Sequence, residues 1–160
     1  MKYSTKLSDT IHLLVFLYLA DGERMTSARI AESVKTNPAY IRQLMSALKK
    51  GGLITSDRGQ ANAALTREAD QITMLDIYRA VEGEKALLHL DIHTNPECGV
   101  GVNIQLSIGD FYRKVQEAAE NKMQEITLKD IIERYYEKVE TAGLKAAILA
   151  NGMTDPTTLG

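Results

Sequence analysis

The chain has 160 residues, 44% hydrophobic and 25% charged, enough for one compact domain with an appendage and too short for two large ones. A formal charge of −2 and a pI near 5.9 provide no global attraction to nucleic acid or to an anionic membrane, so any such binding must rest on local charge. The single cysteine excludes an internal disulfide, the longest apolar run, "LLVFLYLA" from Leu13, falls well short of the ~18 residues of a membrane span, and without a signal-peptide pattern at the N-terminus the expected location is the cytoplasm.

The apolar residues Leu7, Ile11, Leu14, Val15 and Tyr18 recur at a helical period, and Leu13, Phe16 and Leu17 add a second apolar face, which predicts a helix over Lys6–Ala20 packed on two sides. "DGERM" breaks it. Thr26 suits the cap of a short helix reaching Val34, with Ala28, Ile30, Ala31 and Val34 inward. After the turn "KTN", Asn37 is a good N-cap and Pro38 a good first helical residue, so a third helix is predicted over Pro38–Lys50 and stopped by Gly51 and Gly52. Residues 53–56 and 63–66 then read as two short strands around the polar turn "DRGQAN", a β-hairpin. A helix over Met74–Glu82 follows, ended by Gly83. Residues 87–101 form a loop-rich connection that carries His89 and His93. A long helix over 103–126 has Ile104, Ile108, Phe111, Val115, Ala118, Ala119 and Met123 along one stripe, and Thr127 with Asp130 forms a capping box for a last helix over 128–139. The end of the chain, "NGMTDPTTLG", is expected to be a mobile tail. No repeat or low-complexity segment occurs.

The predicted class is mainly α with a small β-hairpin wing: a winged helix-turn-helix plus a long C-terminal dimerisation helix. Its expected parts are a winged-helix head over 1–83, a connection over 84–102, C-terminal helices over 103–140 and a tail over 141–160.

The third helix carries the chemistry. Its quoted stretch, "TNPAYIRQLMSALKKGGLI" over 36–54, turns Ile41, Leu44, Met45 and Leu48 one way. Ala39, Gln43, Ser46 and Lys50 turn the other, with Arg42 on the flank. Small Ala39 and Ser46 let a backbone approach closely, Gln43 can bond bidentately to adenine, and Arg42 can reach guanine or phosphate. Between residues 29 and 67 lie seven basic residues (Arg29, Lys35, Arg42, Lys49, Lys50, Arg58, Arg67) against two acidic ones (Glu32, Asp57), whereas residues 84–160 carry eight basic against twelve acidic. A solvated amphipathic helix accounts for the polar face alone. The order of short helix, tight turn, polar-faced helix and basic hairpin, with the charge excess confined there, points to DNA. The expected DNA-contacting residues are Thr36, Asn37, Pro38, Ala39, Tyr40, Arg42, Gln43, Ser46, Lys49, Lys50 and Arg58. Lys35 occupies a turn position where Gly is frequent.

Taken together, "IAESVKTNPAYIRQLMSALKKGGLI", "SDRG", "ITMLDIYRAVEG" and "TLKDII" resemble the Rrf-type (Rrf-two) family of bacterial winged-helix transcription regulators, which includes iron–sulfur, nitric-oxide and cysteine-metabolism regulators. The likeness covers residues 2–136. It implies a homodimer joined by the long helix, here through Ile104, Ile108, Phe111, Val115 and Met123, with two winged helices on a palindromic operator in double-stranded DNA. Arg58 and Gly59 match the family's Arg-Gly at the wing. The glycine-rich run that usually follows is replaced by "QANAA", which implies altered or weaker minor-groove contacts.

Several members of that family hold an iron–sulfur cluster through three cysteines before the dimer helix. Here "TNPECGVG" retains only Cys98, and one thiolate does not replace three. No cofactor and no metal are expected; His89, His93 and Cys98 are spaced loosely enough for a loop metal site, but isolated residues of this kind are more often structural. Cys98 is a candidate redox sensor, weighed against a half-buried small residue in a turn. No Ser-His-Asp, paired-carboxylate, phosphate-loop or zinc-hydrolase pattern suggests an enzyme. The leading expectation is a DNA-binding transcriptional regulator, a homodimeric repressor without a cluster. The alternative is a protein-interaction or thiol-sensing module of the same fold with weak DNA binding. No pattern names the small-molecule or redox effector.

Overall fold

Helix starts in the first half of the chain coincide with side chains able to accept an orphaned backbone N–H. The computed structural model describes residues 4–20, 23–56 and 63–150, with side chains described as far as residue 144. After α1 (Lys6–Ala20) come α2 (Ser27–Val34) and α3 (Pro38–Lys50). Thr26 Oγ1 accepts the Arg29 N–H at 3.2 Å, and Asn37 Oδ1 accepts the Tyr40 N–H at 2.8 Å. Between them Lys35 takes the left-handed conformation at φ 59°, and the Thr36 N–H closes back on Ala31 O at 2.9 Å. This sharp reversal brings α3 across α2.

Two glycines end α3 for different reasons. A Cβ at Gly51 would lie 2.9 Å from Ala80 Cβ, so its bareness permits close approach to α4, while Gly52 supplies a φ of 70° and lets the Leu53 N–H reach Leu48 O at 2.9 Å. The chain then extends into β1 (Ile54–Ser56), paired antiparallel with β2 (Ala63–Leu65) in the register Ile54 to Leu65 and Ser56 to Ala63. The expected tip of this wing, with Arg58, lies outside the described residues. A 3-10 turn, Ala69–Gln71, which the sequence pattern did not signal, leads to α4 (Met74–Glu82). Thr73 and Asp76 form a capping box there.

The core of this winged helix-turn-helix head gathers fully buried Leu13, Leu14, Ile30, Ile41, Leu48, Leu53, Ile72 and Ile77 from successive elements. Each contributes about 1.5–3 kcal/mol relative to exposure. The same core takes in Leu128 and Ile132, from the start of α6 (Leu128–Ala150). A short antiparallel bridge holds them in place: Met74 N–H donates to Ile126 O and Leu128 N–H to Ile72 O, both at 2.8 Å. Between α4 and α6 runs α5 (Gly99–Glu125), the long arm. The mainly helical chain with a two-stranded wing matches the class expected from sequence.

Two helices are longer than expected. α5 begins at Gly99 rather than at Asn103, because Cys98 caps it and its first turn accommodates Gly99 and Gly101. α6 continues to Ala150, past residue 139 and into the expected tail over 141–160. Gly143 does not stop it: a helix-interior glycine costs about 1 kcal/mol relative to alanine, and strong helix formers (Leu144, Lys145, Ala146, Ala147) follow at once.

Candidate nucleic-acid interface

With Ile41, Leu44 and Leu48 sealed in the core, α3 shows solvent a strip centred on the small residues Ala39 and Ser46. Arg42 and Lys49 border it on one side, Gln43 and Lys50 on the other. Arg42 lies towards α2, where its Nη1 donates to Ser27 Oγ at 3.3 Å. Gln43, Ser46 and Lys50 line an open groove of about 520 Å³ with Gly51, Arg79 and Ala80, so α4 forms its far wall. Arg79 had no signal of its own in the sequence; only the packing of α4 on α3 brings it beside them.

The remaining expected contacts divide by what their side chains already do. Asn37 is exposed, but its Oδ1 caps α3. Thr36 and Pro38 are half-buried beside it. Tyr40, another of the expected DNA contacts, is half-buried against the core, and its hydroxyl donates to Asp9 Oδ2 of α1 at 3.0 Å. Burial, reinforced by that carboxylate, pushes the Tyr40 hydroxyl above its ordinary pKa and keeps it a donor. Tyr40 is thus a strut fixing the start of α3 against α1.

On α5 the apolar positions separate into two classes. Ile104, Phe111 and Val115 are 49%, 65% and 49% exposed, Ile108 is half-buried, and Lys114 Nζ sits 5.3 Å from the Phe111 ring centroid. Met123 differs from them, being buried against Leu75 and Tyr78 of its own chain. Counting round the helix puts it more than a quarter-turn from Ile104, on the side that faces α4.

Cys98 is exposed at the start of α5, and its Sγ accepts the Gly101 N–H at 3.5 Å. His89 and His93 are exposed on the connection. Among the described residues, no group of three His, Cys, Asp or Glu side chains is placed to hold a metal ion, and no helix is long and apolar enough to cross a membrane.

The arrangement of helix-turn-helix, wing and long arm has relatives. The profile of Rrf2, described as an iron-dependent transcriptional regulator, matches residues 3–134. The chain belongs to the Rrf2 family. This Rrf2 protein is 34% identical over 133 residues to YwnA of Bacillus subtilis (strain 168), provisionally named an HTH-type transcriptional regulator, covering 83% of the chain and 98% of YwnA. Among solved structures it is similar to CymR (YrzC), the global cysteine regulator of B. subtilis, at 25% identity and a TM-score of 0.61, over 83% of this chain and 97% of that one. It is likewise similar to T. potens IscR, at 26% identity and a TM-score of 0.62, over 86% of this chain and 90% of that one. The iron in the family description finds no matching donor set among the described residues. An iron–sulfur cluster takes four protein ligands as a rule, and the one cysteine of the chain has its sulfur engaged in a helix cap.

Proposed function

We propose that this Rrf2 protein is a cytoplasmic, homodimeric repressor that binds a palindromic operator in double-stranded DNA without an iron–sulfur cluster, and that it is not an enzyme. The observation that carries this is the exposed strip of α3, with small residues at its centre and Arg42, Gln43, Lys49 and Lys50 on its edges. A helix of this kind enters a major groove, small residues allowing approach, long ones reaching base edges and phosphates. Gln43, Ser46 and Arg42 read bases; Lys49, Lys50 and Arg58 reach phosphate. The exposed Ile104, Phe111 and Val115, with Ile108, support a two-fold pairing of α5 arms that would set two α3 helices about 34 Å apart, one turn of DNA.

Binding to the promoter fragment of its own gene and to random DNA tests this. Gln43→Ala is expected to cost about 1–3 kcal/mol on the promoter fragment and little on random DNA, while Arg58→Ala weakens both and flattens the salt dependence. Equal losses on both DNAs for Gln43→Ala would remove it from the base-reading role.

One observation favours a second reading, in which the fold acts as a thiol sensor: Cys98 is exposed at the start of the arm. The repressor without a redox switch requires Cys98→Ser to bind the promoter fragment as wild type does. Reversible loss of binding under mild peroxide, abolished by Cys98→Ser, would favour the sensor instead.

A further inference from the structure

Residues 84–98 leave α4, run back along α5 and enclose an open cleft of about 560 Å³, the size of a small-molecule site. The connection is fastened at its start: Tyr78 Oη donates to Lys85 O at 2.5 Å, and the Leu87 N–H to Gln116 Oε1 at 2.9 Å. Beyond that point its apolar side chains Leu88, Leu90 and Ile92 face α5 across the cleft without filling it. Gly109 makes the close approach feasible, for a Cβ there would stand 3.3 Å from Leu90 Cδ1. The cleft faces a side of α5 roughly two-fifths of a turn from the Ile104, Phe111 and Val115 stripe, so pairing through that stripe leaves it open.

Its electrostatics have a sign. Arg113 is engaged by Asp110, and Glu120 by Arg79 at 3.0 Å and by Gln116 at 2.7 Å. Hydrogen bonds from Gln116 and Arg79 hold the Glu120 carboxyl below its ordinary pKa. Glu117 has no ion-pair or hydrogen-bond partner among the described residues, and the Tyr112 ring lines the wall. His89 stands at the rim. Apolar walls, an aromatic ring and one uncompensated carboxylate suit an apolar molecule with a positive charge.

We propose that this cleft between the connection and α5 binds a small lipophilic cation, and that the cation is an effector of DNA binding. The second half rests on the DNA-binding role of α3. The connection is linked to α3 by contiguous groups: the Leu87 N–H to Gln116, Gln116 to Glu120, Glu120 to Arg79, and Arg79 beside Gln43, Ser46 and Lys50 in the α3 groove. A ligand that moves the connection changes the first of these hydrogen bonds.

Tetraphenylphosphonium and tetraphenylborate, alike in shape and opposite in charge, form the test, titrated calorimetrically into the full chain. The cation is expected to bind saturably at one per chain, on the order of tenfold tighter than the anion, as when one exposed charge interaction changes sign. Glu117→Gln, an exposed substitution, erases most of that preference. Gly109→Val intrudes on Leu90 and narrows the cleft, so it weakens binding of the cation, with circular dichroism verifying the fold. Saturating cation shifts promoter-fragment affinity by about fivefold or more. Equal affinity for both ions, no binding at all (as when a second copy fills the cleft), or indifference to both substitutions overturns the site. Intact DNA binding that ignores saturating cation overturns the effector role. Failure of the cation-free protein to bind promoter DNA counts against the DNA-binding role of α3 and the effector role with it, and leaves the cation site standing.

Discussion

Lys35 holds a backbone conformation that side chains with a Cβ adopt at a cost of about 1–2 kcal/mol. Glycine would relieve it. Lys35→Gly is therefore expected to stabilise the protein by about 0.5–1 kcal/mol in denaturant unfolding, the relief exceeding the entropy glycine returns to the unfolded chain. The same substitution removes a positive charge from the turn leading into α3, so affinity should fall alike on promoter and random DNA and the salt dependence should weaken. Unchanged DNA binding would leave Lys35 as strain without use. Tyr40 teaches a related lesson. It stands among the expected DNA contacts at the start of α3, and nothing local indicates that Asp9, thirty-one residues earlier, takes its hydroxyl.

At the level of elements, what could be read from sequence was set by local chemistry. The starts of α2, α3 and α6 were legible because a cap and its N–H lie within three residues, as at Thr26, Asn37 and the Thr127–Asp130 box. The end of α6 was not, since no cap or stop signal lies at residue 139, and the helix formers after Gly143 carry it on to Ala150. The surroundings of Arg79 and Met123 were not legible because their neighbours come from other elements. The α6 cap also titrates. Hydrogen bonds from the Thr127 backbone and side chain hold the Asp130 carboxyl below its ordinary pKa. A carboxylate with a depressed folded pKa contributes stability above its unfolded value and loses it as pH falls through the folded one. Thermal melts of Asp130→Asn should accordingly sit below wild type at neutral pH, and the gap should close in acid below the ordinary aspartate range. A gap that persists unchanged in acid would separate Asp130 from the cap.

For the whole molecule, the exposed stripe on α5 bears on the proposed homodimer. Apolar side chains at Ile104, Phe111 and Val115 left in water are a liability that the proposed pairing would remove. Val115→Glu places a charge in the pairing face, which raises the dissociation constant, and sedimentation at micromolar concentration should find monomers that keep wild-type helicity. A Val115→Glu variant that remains dimeric would move the interface elsewhere. Leu128 and Ile132 give the molecule a further property, one that belongs to its biosynthesis. The head is made first, but its core lacks these two side chains until the ribosome has released residue 132. By then all of α5 has emerged. The stripe is thus in solution before the head is complete, so on each nascent chain the surface proposed for pairing precedes the finished surface for finding DNA.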